Sequence, residues 1–260
     1  MATYLDKIVA HHRARAAADA RNLDELIGQA RDQPSARGFR RALADAASQP
    51  LAVIAEIKRR SPSKGDLNAG LDAATLARTY EACGASAMSV LTDEPHFGGS
   101  VRDLQVARGA CSLPVIRKDF TVDLRDVCDA RIMGADCVLL IAAALTRDEI
   151  AGMHDLAVSI GLDVLVEIHD ETELEVALDI GATLIGVNQR DLVTFAVDHD
   201  RAVRMAALMP EGVVRVAESG VRGADDAAAL RRAGYHAVLV GETLVTSNDT
   251  CASLKSLLIP

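Results

Sequence analysis

Met133-Gly134-Ala135-Asp136-Cys137-Val138-Leu139-Leu140-Ile141-Ala142 joins a helix stop directly to a buried strand. A glycine at that point suits the left-handed position that ends a helix, and the unbroken aliphatic run after it suits a strand covered on both faces. The same unit recurs at Cys83-Gly84-Ala85, Ile180-Gly181-Ala182 and Ala233-Gly234-Tyr235, each just before another aliphatic run. Helix, glycine stop and buried strand repeated along one chain predict βαβ units around a parallel sheet, and the repetition favours closure into a barrel.

Eight aliphatic runs are visible along the chain: Leu51–Lys58, Ser86–Thr92, Pro114–Phe120, Cys137–Ala142, Asp163–His169, Leu184–Asn188, Val213–Ser219 and His236–Gly241. Their spacing, mostly about 20 to 30 residues, leaves room for one crossover helix between successive strands. The expected fold is an α/β (β/α)₈ TIM barrel. An open doubly wound sheet is the alternative, but no G-x-G-x-x-G opens the first helix. Ahead of the strands, helical periodicity covers Tyr4–Ala20, Asn22–Arg31 and, past Pro34, Phe39–Ala47. Residues 1–260 are thus expected to form a single barrel domain, with residues 1–50 as a helical extension covering the barrel.

Half of the 260 residues are apolar, enough for one large core. A formal charge of −9 with scattered Lys and Arg argues against a nucleic-acid partner. The longest apolar run, Cys137–Leu145, is too short to span a bilayer, and the N-terminus has no signal-peptide pattern. A cytoplasmic protein without membrane attachment is expected. Cys83, Cys111, Cys128, Cys137 and Cys251 are odd in number and lack CxxC spacing, so neither a disulfide framework nor a zinc site is expected. His11, His12, His169 and His199 lack metal-ligand spacing and read as surface or packing residues; no metal is expected.

Ionisable residues at the ends of buried parallel strands are the exceptions that point to chemistry. Strand one ends Ala55-Glu56-Ile57-Lys58, strand three carries Arg117-Lys118-Asp119-Phe120, and strand five ends Val166-Glu167-Ile168-His169. Strand six leads into Asn188-Gln189-Arg190, and strand seven ends Glu218-Ser219-Gly220. The two-residue period of a strand puts Glu56 and Lys58 on one face, opposite Ile57. An isolated pair of this kind is usually a structural salt bridge. Two lysines, two glutamates, an asparagine and an arginine from four strands are better explained by a site that binds charge. Ser219-Gly220 and Gly241-Glu242 fall in the loops after strands seven and eight, where barrels commonly bind phosphate. The loop Arg59-Arg60-Ser61-Pro62-Ser63-Lys64-Gly65 adds positive charge beside the same mouth and reads as a mobile, anion-facing lid.

These stretches together resemble the indole-3-glycerol-phosphate synthase family over essentially the whole chain. The resemblance is carried by Ile54-Ala55-Glu56-Ile57-Lys58-Arg59-Arg60-Ser61-Pro62-Ser63, Pro114-Val115-Ile116-Arg117-Lys118-Asp119-Phe120, Val164-Leu165-Val166-Glu167, Gly186-Val187-Asn188-Gln189-Arg190-Asp191-Leu192 and Ala217-Glu218-Ser219-Gly220. It implies ring closure of 1-(2-carboxyphenylamino)-1-deoxyribulose 5-phosphate to indole-3-glycerol phosphate, a carboxy-lyase reaction of tryptophan biosynthesis that uses no cofactor. Lys118 matches the family's acid for ring closure. Lys58, Glu56 and Glu167 share the later proton transfers, and Asn188 orients substrate or carboxylates. Lys58 as dehydration acid with Glu56 as base is the preferred assignment; Glu167 as the acid is its competitor. Arg190 is expected at the substrate carboxylate, Ser219 at the substrate, and Arg60, Ser61, Gly220 and Gly241 at the phosphate, with Glu242 beside it. Phe97 and Phe120 supply an aromatic wall, since Ile8 stands where some members carry an aromatic residue.

Two other classes fit the same residues. A phosphoribosyl isomerase or Schiff-base aldolase shares fold and phosphate site. A non-catalytic phosphometabolite-binding subunit explains the phosphate site but not Lys118 and Glu167. The expected partner is a small phosphorylated substrate, the expected state a monomer or weak oligomer, and a pathway-enzyme partner docking on the N-terminal helices is left open.

Overall fold

The computed structural model describes residues 3–44, 51–62, 64–191 and 193–258. Eight strands lie one within each expected run: β1 (Ala52–Ile57), β2 (Ala87–Leu91), β3 (Val115–Lys118), β4 (Cys137–Ile141), β5 (Asp163–Ile168), β6 (Leu184–Asn188), β7 (Val214–Glu218) and β8 (Ala237–Val240). Each pairs in parallel with its neighbours, and β1 joins both β2 and β8, which closes the barrel. The open-sheet alternative is thereby excluded.

Alternation along each strand sorts side chains into two cores. Val53, Ala55 and Ile57 of β1 face outward into the layer between strands and helices. Ala52 and Ile54 face inward and pack with Ile116, Leu139, Leu165, Leu184, Val216 and Leu239 from six other strands. The same inward series continues upward into Glu56 and Lys58, then Lys118, Glu167, Asn188 and Glu218 on their strands. Apolar residues therefore fill the barrel as far as its last layer, and charge begins where the interior opens.

The N-terminal helices are α1 (Tyr4–Ala17), α2 (Leu23–Arg31) and α3 (Phe39–Ala44). The portion of the third expected helix beyond Ala44 lies outside the described residues. Phe39 and Leu43 of α3 are fully buried within the inner core, so α3 closes the bottom of the barrel. At the opposite end α1 lies across the mouth and buries Ile8. Its Arg13 bonds Glu149 Oε1 at 2.7 Å and Oε2 at 3.0 Å, and His12 Nε2 lies 2.9 Å from Asp93 Oδ2. Helices α1 and α3 thus lie at opposite ends of the barrel.

The helices that follow the strands are α4 (Ala73–Ala82), α5 (Glu94–Phe97), α6 (Val101–Ala110), α7 (Leu124–Ile132), α8 (Arg147–Ser159), α9 (Glu171–Asp179), α10 (His199–Ala206), α11 (Ala224–Arg232), α12 (Glu242–Val245) and α13 (Thr250–Lys255). Gly134 sits at φ 100°, the left-handed stop expected of it.

One expectation is corrected. Cys83, which caps α4, and Cys251 in α13 form a disulfide, although 168 residues separate them. Closure of the barrel brings the last helix against α4, a proximity that cysteine spacing does not encode; Cys111, Cys128 and Cys137 are free. The loop after β1, expected as a mobile lid, carries a short antiparallel ribbon, Arg60–Ser61 with Gly65–Asp66. Arg59 ties it to the start of α6 through Asp103 at 2.7 and 3.1 Å.

Candidate active site

A cavity of about 440 Å³ opens at the carboxyl ends of the strands. Its floor is Glu56, Lys58, Lys118, Glu167, Asn188 and Glu218. Five of these six were expected there from sequence. Glu218 is the sixth, and the signal that marks it is its inward position on β7, two residues past buried Val216.

Lys118 Nζ donates to Glu167 Oε2 at 2.8 Å and to Glu218 Oε2 at 2.7 Å. Burial opposes the charge on Lys118, but the carboxylates of Glu167, Glu218 and Glu56 outweigh it and raise its pKa, so the ammonium persists at any working pH. The two carboxylates differ in support. Burial alone would raise Glu167, yet Lys118, His169 and the 2.9 Å bond from Asn188 Nδ2 bring it down to about 2. Glu218 shares Lys118 but little else. Its Oε1 is buried without a hydrogen-bond partner, and burial with repulsion from Glu167 and Glu56 outweighs Lys118 and pushes it up to about 7. One carboxylate is thus held ionised and its neighbour is poised to carry a proton near neutrality.

Across the floor, Lys58 Nζ lies 2.6 Å from Glu56 Oε1, while Ser89 donates to Glu56 Oε2 at 3.2 Å. Gly241 makes room for this pair, because a Cβ there would meet Glu56 Oε1 at 2.4 Å. Asn188 Oδ1 accepts the Arg190 backbone N–H at 3.0 Å, so one amide fixes both Glu167 and the turn into the next loop.

The walls are apolar and aromatic. Phe97 and Phe120 line the cavity as expected, their rings 6.2 Å apart, and Ile8 joins them from α1. Tyr4 and Phe195, with ring centroids 5.6 Å apart, complete the enclosure and were not anticipated. Tyr4 comes from the extension and Phe195 from the β6–α10 loop, and no periodicity links them. At the rim stand Ser61, Arg190, Ser219, Gly220, Gly241 and Glu242. Ser219 has φ 65°, unusual for a residue with a side chain, and directs the β7 loop over the rim. Arg60 departs from expectation. Its guanidinium bonds the carbonyls of Pro95 at 2.8 Å and Glu94 at 3.2 Å, leaving Lys64 as the loop's cation on the cavity.

Among the described residues, His12, Asp93 and His96 form one group with metal-ligand spacing. Asp93 Oδ2 lies 2.9 Å from both His12 Nε2 and His96 Nδ1, which makes the group a hydrogen-bonded latch between α1 and α5. A ligating histidine ordinarily has an acceptor for its other ring nitrogen, and buried His12 Nδ1 has none. His12 is therefore buried and bonded, not a surface residue.

Two acid–base pairs facing each other in an aromatic cavity with a cationic, glycine-lined rim suit proton-transfer chemistry on a planar, anionic substrate. Comparison with known proteins agrees. Residues 5–257 match the family model described as indole-3-glycerol phosphate synthase. Curated relatives include indole-3-glycerol phosphate synthase 2 of Streptomyces coelicolor, 49% identical over 245 residues, covering 94% of this chain and 93% of that protein. Indole-3-glycerol phosphate synthase of Mycolicibacterium vanbaalenii is 46% identical over 258 residues, covering 98% and 94%. Among solved structures, a thiamine phosphate pyrophosphorylase from Pyrococcus furiosus superposes with a TM-score of 0.60 at 16% identity, covering 80% of this chain and 93% of that one, which speaks for the fold alone.

Proposed function

The chain belongs to the indole-3-glycerol phosphate synthase family, and from that membership we propose how its residues divide the work. The protein is a decarboxylating lyase of tryptophan biosynthesis. It converts 1-(2-carboxyphenylamino)-1-deoxyribulose 5-phosphate to indole-3-glycerol phosphate with release of carbon dioxide and water. Oxidation levels balance across these products, so no external oxidant or reductant enters.

Lys118 serves ring closure. The ring carbon that bears the carboxylate attacks the ketone carbon, and the carbonyl electron pair moves onto oxygen. An ammonium held by Glu167 and Glu218 stabilises that charge as it develops and then protonates it. The raised pKa of Lys118 is no obstacle, since the alkoxide that forms is about as strong a base as hydroxide and takes the proton readily. The bond to the carboxylate then breaks, and its electron pair restores the aromatic ring. For dehydration the nitrogen lone pair expels the new hydroxyl, which takes a proton from Lys58 and leaves as water. Glu56, 2.6 Å from Lys58, removes the remaining carbon-bound proton and completes the indole.

Substrate binding follows from the cavity's anatomy. Phe97, Phe120 and Ile8 flank the aromatic ring and Arg190 meets its carboxylate. Ser61, Ser219, Gly220 and the Gly241–Glu242 turn receive the phosphate, where the first N–H groups of α12 lack partners within the helix. Arg60 supports the loop instead. A charged phosphate ester does not cross bilayers and stays in the compartment where it is made, which supports a cytoplasmic setting. No helix among the described residues is long and apolar enough to cross a membrane. Exposed large aliphatics such as Val101, Val158 and Leu208 are scattered over separate helices and connections, in keeping with a monomer or weak oligomer.

The observation that carries this reading is Lys118 clamped between Glu167 and Glu218. Its test is the fluorescence of the indole-3-glycerol phosphate formed from the carboxyphenylamino-deoxyribulose phosphate. Wild type turns over and Lys118→Ala does not. A folded wild type that binds the substrate without turnover overturns the assignment.

A further inference from the structure

On the outer side of Glu167 stands a pair that the reaction scheme leaves unused. His169 follows Glu167 by two residues on the β5–α9 turn, and Glu173 reaches back from the first turns of α9. Glu173 Oε2 accepts both the backbone N–H of His169, at 2.7 Å, and its ring Nδ1, at 3.1 Å. A carboxylate at Nδ1 places a proton there. The other ring nitrogen, Nε2, is buried, has no hydrogen-bond partner, and faces Glu167 Oε1 at 3.6 Å. Buried ring nitrogens are rarely left idle, and an N–H on Nε2 would have one acceptor in view.

We propose that His169, oriented by Glu173, is a positioning residue that as an imidazolium holds Glu167 ionised and in place beneath Lys118. The inference rests on the role assigned to Glu167 above. Glu167 Oε2 takes the Lys118 ammonium, while Oε1 takes Asn188 Nδ2 and faces His169. Both oxygens are thus committed, and the clamp on Lys118 cannot swing. The charged groups facing His169 are Glu167 from β5, Glu173 from α9 and Arg201 from α10, whose Nη1 bonds the Asn188 carbonyl at 3.0 Å. Burial and Arg201 oppose protonation of His169, and the two carboxylates prevail, which raises its pKa. The cation is present below that raised pKa and is lost as pH climbs through it. Turnover should then fall on the alkaline side to the level of an enzyme without the imidazole.

The test pairs histidine-selective NMR titration with kcat and KM measured across pH. The expected result is a wild-type His169 that titrates above 6.5 and drops in both Glu173→Gln and Glu167→Gln. His169→Gln should lower kcat about tenfold with KM within about twofold, and its kcat profile should lack the alkaline fall that tracks the wild-type titration. Glu173→Gln, which keeps the imidazole, should shift that fall to lower pH and serves if His169→Gln does not fold. A His169 titration unmoved by Glu167→Gln, or a His169→Gln profile superimposable on wild type, overturns the inference. Full kcat in Glu167→Gln overturns the role of Glu167 itself, and is distinguishable because it is read in that variant alone, whatever His169 does.

Discussion

A Cβ on Gly186 of β6 would lie 2.1 Å from Oε1 of Glu218 on β7. The two strands run side by side, with Gly186 beside Val216, and the missing side chain is the space in which the Glu218 carboxylate rests. Gly186→Ala must displace that carboxylate from Lys118, and it also presses on Leu165 of the inner core, whose Cδ1 would lie 3.2 Å from the added Cβ. It is expected to cost roughly 1 to 3 kcal/mol of stability through overpacking. The loss of turnover should exceed tenfold, because one jaw of the clamp is moved. Thermal unfolding and kcat on the same preparation check both.

Glu218 also gives the protein a pH signature. Its carboxyl sits at about 7 in the fold against an ordinary 4.5, so the stability it contributes is full below 4.5 and is lost as pH rises through about 7. Glu218→Gln does not titrate. Its melting temperature relative to wild type should therefore climb between pH 5 and pH 8, in steps of roughly one pH unit. Parallel curves for the two proteins would show that Glu218 is an ordinary carboxylate.

The latch over the mouth predicts a stability effect remote from the chemistry. Asp93 is buried, holds His12 and His96, and accepts the His96 backbone N–H at 2.7 Å. Burial works against its charge, but these bonds hold its pKa well below the usual carboxylate range. Its contribution is thus present at neutral pH and fades only in strong acid. Asp93→Ala should cost about 3 kcal/mol, as expected for breaking a buried polar pair. Limited proteolysis should then cut near α1 first, since that helix loses an anchor.

The disulfide makes a count. Alkylation of the denatured, unreduced protein should modify Cys111, Cys128 and Cys137 only, and all five cysteines after reduction. Five modified cysteines without reductant would show the pair open.

The floor of the site was legible because strands alternate. Glu56 and Lys58 share a face by count alone, and Lys118 and Glu167 interrupt runs that have no other reason to carry charge. Glu218 was harder, since its partner Lys118 is 100 residues away and meets it only when the barrel closes. Tyr4 and Phe195 were invisible for a related reason: one reaches the cavity from the first residue of α1 and the other from the β6–α10 loop, neither from a strand's inward series. Arg60 looked like a phosphate ligand by type, yet the Glu94 and Pro95 carbonyls of α5 hold its guanidinium. Charge and period are written in the chain, whereas the partner that captures a long side chain is decided by packing.

The most direct test of the account is a rapid-quench single turnover comparing Lys118→Ala with Lys58→Met. If Lys118 governs ring closure and Lys58 the later dehydration, Lys118→Ala leaves the substrate unconsumed, and Lys58→Met releases carbon dioxide and accumulates a ring-closed, hydroxylated intermediate. Loss of ring closure in Lys58→Met, or a decarboxylated intermediate in Lys118→Ala, would contradict that division of labour.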